Sequence, residues 1–233
     1  MAFNPKSTLA IKNNGLKIAL YGESGVGKTW QISTLDSPFI ISSEKGLLTL
    51  SSLGMDIPYV EISSLKDLQE AREYLNSDEY YDSYNTLVID SVTEIADIIL
   101  QKEKENTKDG RQAYGSAQDQ VIRELREFFS IEGKDIVMIF KSGRVEDQDT
   151  LRTSYIPIAV SDKFSSRIPY LFDEVLALRV RKDSEGQITR YIQAFNDGNY
   201  SCKDRSGQLY PEEEANLGEI IKVIKGAENE GKE

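Results

Sequence analysis

Residues 22–29 read GESGVGKT, which matches the pattern G-x-x-x-x-G-K-[ST] with Gly22, Gly27, Lys28 and Thr29 in the fixed places. The run before it, LKIALYG, is apolar and ends on glycine, as a buried strand would; TWQISTL after it reads as a first helix. The spacing has a physical reason. A loop that wraps phosphates with backbone N–H groups must shed side chains, here at Gly22, Gly25 and Gly27, and the helix behind it points its positive end at the anion. Lys28 then supplies charge to the β- and γ-phosphates, and the Thr29 hydroxyl ligates Mg²⁺. The segment expected to hold ATP is therefore Gly22, Glu23, Ser24, Gly25, Val26, Gly27, Lys28, Thr29 and Trp30. The competing reading is a glycine-rich turn without function. A chance match in a chain of this length arises roughly once in a hundred on average residue frequencies.

Composition narrows the chemistry further. The 233 residues contain no histidine and one cysteine, Cys202. Ser-His-Asp triads, histidine metal sites, intramolecular disulfides and multi-cysteine zinc sites are thereby excluded. Catalysis must use carboxylates, Lys, Arg, hydroxyls or a bound metal ion. The net charge of −11 argues against a broad basic face for nucleic acid, so any such contact must be local or collective. No apolar run is long enough to cross a bilayer and the N-terminus lacks a signal peptide's hydrophobic region, so a cytoplasmic protein with no membrane partner is expected.

No repeat or linker divides the chain, which reads as one domain over residues 1–225 followed by an acidic, disordered tail at 226–233. SPFIISSE is a second strand ending near Glu44, and SSLKDLQEAREYLNS a serine-capped helix with Leu65, Leu68, Ala71 and Leu75 at helical spacing. YNTLVIDS is a third strand, followed by the helix VTEIADIILQKEKE. The polar stretch NTKDGRQAYGSAQ leads into the helix DQVIRELREFFS. KDIVMIFKSG is a fourth strand, and GRVEDQDTLRTSYIP a long loop or mobile hairpin. YLFDEVLALRVRK and ITRYIQAFN form a hairpin turning at Glu185–Gly186. The order implies an α/β fold: a mainly parallel central sheet flanked by helices, with an antiparallel C-terminal β extension.

An NTPase also needs an acidic residue at the end of a buried strand to organise Mg²⁺. TLVIDS supplies Asp90, which could instead be an N-cap for the following helix; Ser91 and Ser42 are the other cap candidates.

The motifs GESGVGKT, FIISSEKG, TLVIDSVTEI, AYGSA and KDRSG, in this order, resemble the RecA-like P-loop ATPases and, within them, the phage Sak-type single-strand annealing and recombination family (phage nucleotide-binding AAA-type ATPases). The resemblance spans roughly residues 16–209. It implies that Glu44 polarises the attacking water, the alternative being a surface glutamate in a turn. It implies that Lys203 and Arg205, as a K-x-R pair, reach the γ-phosphate bound by a neighbouring subunit, where a solvated turn is the alternative. Lys141 stands where relatives carry a Gln, His or Asn that senses the γ-phosphate; it contacts phosphate itself or leaves that role to Ser142. The family further implies ATP rather than GTP, and the missing N-K-x-D segment leans the same way. Hydrolysis at subunit interfaces of a ring or filament follows, with single-stranded DNA as partner and a single-stranded DNA-binding protein as a possible second one. Nucleic acid would lie against loops at 102–116 and 143–157. These hold Lys102, Lys104, Lys108, Arg111 and Tyr114, then Arg144, Arg152 and Tyr155. Glu103, Glu105, Asp109, Glu146, Asp147 and Asp149 roughly cancel that charge, so a charge-mixed surface is an equal reading. Two other functions fit the same motifs: a helicase- or loader-type motor, and a nucleotide-gated assembly protein with little turnover.

Overall fold

The computed structural model describes residues 15–77, 80–146 and 153–226; the expected acidic tail, apart from Gly226, lies outside them. Four apolar runs with few polar interruptions form the centre of one sheet. They are β1 (Lys17–Gly22), β2 (Pro38–Ser42), β4 (Thr86–Asp90) and the first half of β5 (Asp135–Glu146), and nearly every residue in them is buried. Burial on both faces is why they read as continuous rather than alternating. With β3 (Tyr59–Glu61), β7 (Glu174–Lys182), β8 (Ile188–Gln193) and β10 (Glu212–Glu214) the sheet runs β10-β8-β7-β1-β5-β4-β2-β3. All pairings from β7 to β3 are parallel, and β8 and β10 add the expected antiparallel extension. The β7–β8 turn falls at Gly186, whose φ of +86° favours glycine.

Helices cover both faces. On one side α2 (Leu65–Leu75), α3 (Val92–Asn106) and α4 (Gly110–Phe129) pack Leu68, Ile95, Ile99, Val121, Leu125 and Phe128 against Tyr21, Ile89 and Phe140. On the other, α1 (Leu48–Ser52), a 3-10 helix (Thr29–Thr34) and α5 (Leu217–Lys225) pack against Ile18, Leu20, Val137 and Leu176. Ser64 caps α2 in a capping box with Asp67.

Two expectations need correction. TWQISTL is six residues of 3-10 helix rather than an α-helix. Ser33 and Thr34 return their hydroxyls to the carbonyls of Trp30 and Gln31, and Leu35 turns extended just before Ser37 and Pro38, so nothing propagates the helix. The polar stretch before Asp119 is helical from Gly110, because Asp109 caps it by accepting from the N–H groups of Arg111 and Gln112. The first expected loop thus contracts to residues 107–109. Between Glu44 and Ser63, where the sequence reading assigned no element, lie α1 and β3. The tract after Phe140 is a hairpin, β5 turning back as β6 (Thr153–Pro157), although Asp147, Asp149 and Arg152 lie outside the described residues.

Candidate nucleotide site

The parallel strands deliver the site at their C-terminal ends, the usual place for ligands in such sheets. β1 ends in Gly22, and the loop after it runs through Gly25 and Gly27, with φ of +78° and +101° that a side chain would strain. Lys28 Nζ folds over this loop, donating to the carbonyls of Gly22 at 2.9 Å and Glu23 at 2.8 Å. Burial lowers the Lys28 pKa, opposed by the charges of Asp90 and Glu44.

β4 ends in Asp90, buried at 4% exposure, and Thr29 Oγ1 donates to Asp90 Oδ2 at 2.9 Å. Burial pushes the Asp90 carboxyl up to about 6; the Thr29 bond and Lys28 oppose that rise. A hydroxyl and a carboxylate converging beside a phosphate loop are the hard oxygen donors Mg²⁺ takes, leaving its other positions to water and phosphate oxygens. The residues fit the ion. Asp90 is not the cap of α3: Ser91 is, accepting from Glu94 N, and the Asp90–Ser91 peptide is cis.

β2 brings Glu44 to the same edge. Ser91 Oγ donates to Glu44 Oε1 at 2.6 Å, and Ser42 Oγ to the Glu44 carbonyl at 2.6 Å. The turn that follows passes over the Thr29 hydroxyl: a β-carbon on Gly46 would sit 3.9 Å from Thr29 Oγ1. Lys141, in register with Gly22 across the β1–β5 pair, forms an ion pair with Glu94 and lies 3.7 Å from Glu44 Oε1. The hydrogen bond to Glu94 raises the Lys141 pKa. Lys141 therefore bridges two carboxylates beside the loop. Ser142, the alternative sensor, has a buried Oγ without a hydrogen-bond partner among the described residues.

Lys203 and Arg205 are elsewhere. The two-residue strand β9 (Lys203–Asp204) pairs with the start of β7, in line with Ile18 and so at the opposite end of β1 from Gly22. Lys203 Nζ donates to the carbonyls of Pro169 and Phe172, and Arg205 pairs with Asp173 at 2.7 Å. Within one chain they cannot reach the phosphate loop.

Sequence reasoning missed Arg190. From β8 its Nε donates to the Val26 carbonyl at 2.9 Å, inside the loop but 164 residues away in sequence. Only the register of β7 and β8 puts it there, and a single arginine in ITRYIQ carries no local signal.

A family model described as an AAA domain matches residues 14–206. The chain belongs to that family. Its glycine loop, Thr29–Asp90 contact and strand-end carboxylates all lie within the matched residues of this AAA domain. A relative from Bacillus subtilis (strain 168), the SPbeta prophage-derived uncharacterized protein YorG, is 25% identical over 154 residues, 63% of this chain and 46% of that protein. The chain thus matches under half the length of that relative. Among solved structures, the KaiC-like protein PH0186 from the hyperthermophilic archaeon Pyrococcus horikoshii OT3 aligns over 77% of this AAA domain chain and 78% of its own, at 14% identity and a TM-score of 0.48. Among the described residues no helix is long and apolar enough to cross a membrane.

Proposed function

We propose that this AAA domain is a Mg²⁺-dependent, RecA-like ATPase that self-associates in rings or short filaments and acts on single-stranded DNA in phage recombination or annealing. The 2.9 Å contact between Thr29 Oγ1 and Asp90 Oδ2 carries the ATPase half, because it joins the phosphate loop to the acidic strand end. Mg²⁺, when bound, neutralises charge on the β- and γ-phosphate oxygens. Lys28 adds a cation at the γ-phosphate, while Thr29 and Asp90 fix the geometry of the reacting group. Glu44, at the same edge, orients a water in line with the γ-phosphate.

Support for self-association comes from Lys203 and Arg205. They lie at the end of the sheet away from their own loop, so a role at the γ-phosphate requires a neighbouring copy. Support for single-stranded DNA is a cationic aromatic cluster beside the loop. Tyr155 and Tyr200 stack at 4.8 Å, Arg179 lies 4.0 Å over the Tyr200 ring, and Arg181 lies 4.6 Å over Tyr191. Rings and guanidinium groups are what single-strand binding uses, although Arg179 lies 3.9 Å from Asp197 and Arg181 2.6 Å from Glu212, so nucleic acid would compete with these carboxylates. The printed origin of the YorG relative, a prophage, is consistent with a phage setting. A single-stranded DNA-binding protein would help an acidic protein reach its substrate.

A nucleotide-gated assembly protein with little turnover is the second reading. It is favoured by Glu44 being held by Ser91 and approached by Lys141, contacts that must loosen before Glu44 can orient water. The test is steady-state ATPase rate against protein concentration, with and without single-stranded DNA, for wild type and Arg205→Ala. Turnover that rises with both and collapses in the variant supports assembly in trans. Turnover indifferent to DNA and to Arg205 removes the DNA and interface parts of the proposal.

A further inference from the structure

Two side chains converge on Gly27 from distant parts of the chain. A β-carbon there would meet Arg190 Nε at 3.1 Å, Arg190 Cδ at 3.6 Å and Trp30 Cβ at 3.8 Å. Arg190 pairs in register with Val180, and Ile188 with Lys182, so Val180, Lys182, Ile188 and Arg190 share one face of the β7–β8 hairpin. Ile192, opposite Leu178, continues that face into the core on the loop's side of the sheet. Beyond the core the face is uncovered. Trp30 is 37% exposed, Val180 48% and Ile188 61%.

A strip whose apolar part begins at the phosphate loop, carries Arg190 and Trp30 and ends beside Lys182 has the chemistry to bind a flat ring. The occupant is set by continuity with the site already described. A nucleotide whose phosphates fill residues 22–29 must place its nucleoside outside that loop. We infer that the projecting β7–β8 hairpin, through Arg190, Val180 and Ile188, together with Trp30, seats the base of the bound nucleotide. Arg190 does two things there: its Nε fixes the Val26 carbonyl, and its stem packs over Gly27 beside the expected path of the ribose. The inference rests on the phosphate-loop reading above and adds the residues that recognise the rest of the ligand.

Tripolyphosphate separates the two claims, since it carries the phosphates of ATP without a base. Mg²⁺-ATP and Mg²⁺-tripolyphosphate binding would be measured by calorimetry for wild type, Lys28→Ala and Ile188→Ser, an exposed position whose substitution leaves the core intact. Trp30 is the sole tryptophan, so acrylamide quenching of its fluorescence reports its shielding directly. The expected result is an ATP affinity about tenfold weaker in Ile188→Ser, the scale on which loss of a stacking or apolar contact to a base acts. Tripolyphosphate binding should be unchanged in that variant and abolished in Lys28→Ala, and ATP, but not tripolyphosphate, should shield Trp30. If Ile188→Ser weakens both ligands equally or neither, or if Trp30 stays open with ATP bound, the base seat is wrong while the phosphate loop stands. If wild type binds neither ligand, the phosphate-loop reading itself falls.

Discussion

Thr29 Oγ1 donates to Asp90 Oδ2 at 2.9 Å, across 61 residues of sequence, where the ends of β1 and β4 lie on either side of β5. Two oxygen donors held together in a buried corner make turnover depend on both. Thr29→Ala and Asp90→Asn are each expected to lower ATP turnover by at least about a hundredfold, the scale of losing one charge-stabilising contact. Titration of Mg²⁺ at fixed ATP checks this: the variants should need more ion for whatever activity remains.

Lys141 bridges Glu94 and Glu44, which makes it a positioning residue. Lys141→Ala should lower kcat about tenfold, with ATP affinity changed much less, and Lys141→Arg should restore most of it. A double-mutant cycle with Glu94→Gln should show a coupling of about 0.5–3 kcal/mol, as for groups in one network. Additive effects would mean that the pair does not act on the site.

The C-terminal helix is tied to the phosphate loop's own helix. Gln31 Nε2 donates to the Ala215 carbonyl, Leu217 N to Gln31 Oε1, and Gly218 N to Thr34 Oγ1. A β-carbon on Gly218 would sit 1.9 Å from the Thr34 carbonyl oxygen, so only glycine permits the approach. Gly218→Ala is expected to destabilise the fold by about 1–3 kcal/mol or more, as overpacking does. In a thermal melt this lowers Tm by several degrees, and ATP should recover part of the loss by binding the native state.

Glu174 is buried at the start of β7, with Oε2 lacking a hydrogen-bond partner among the described residues and the Asp204 carboxylate nearby. Burial first, then the Asp204 charge, pushes its pKa up to about 8. Between the ordinary glutamate range and that value the folded chain holds a proton the unfolded chain has released, so stability falls as pH rises through this window. Glu174→Gln mimics the neutral form. Its Tm should therefore decline less than wild type's between about pH 5 and pH 9, and parallel profiles would contradict the assignment.

What was legible in the sequence was contiguous. KIALYGESGVGKT, TLVID and FIISSE each carry their strand and their candidate site residue in one short window, and the buried strands announce themselves by unbroken apolar runs. Where meaning came from register, the sequence was silent. Arg190 reaches Val26 only because β8 folds back along β7, and Lys141 meets Glu94 only because the middle of β5 lies beside the first turn of α3. The helix misread at TWQISTL has a local cause, since its hydroxyls compete for the carbonyls that would propagate it. The stretch around AYGSA was read as a loop because its polar residues hide a helix whose start is fixed by a single aspartate cap. The trans roles proposed for Lys203 and Arg205 came from resemblance; the structure places both at the far end of the sheet from the phosphate loop, held by Pro169, Phe172 and Asp173 of the same chain.

The most direct test of the account is Glu44→Gln, with ATP binding and steady-state hydrolysis measured on the same preparation. Glu44 is held at the edge of the site by Ser91 without contributing to the phosphate loop. The account predicts that the variant binds Mg²⁺-ATP as wild type does while its turnover falls by about a hundredfold or more. Wild-type turnover that survives the substitution, or a wild type that binds ATP and never hydrolyses it, would contradict the claim that this strand-end carboxylate makes the AAA domain an ATPase.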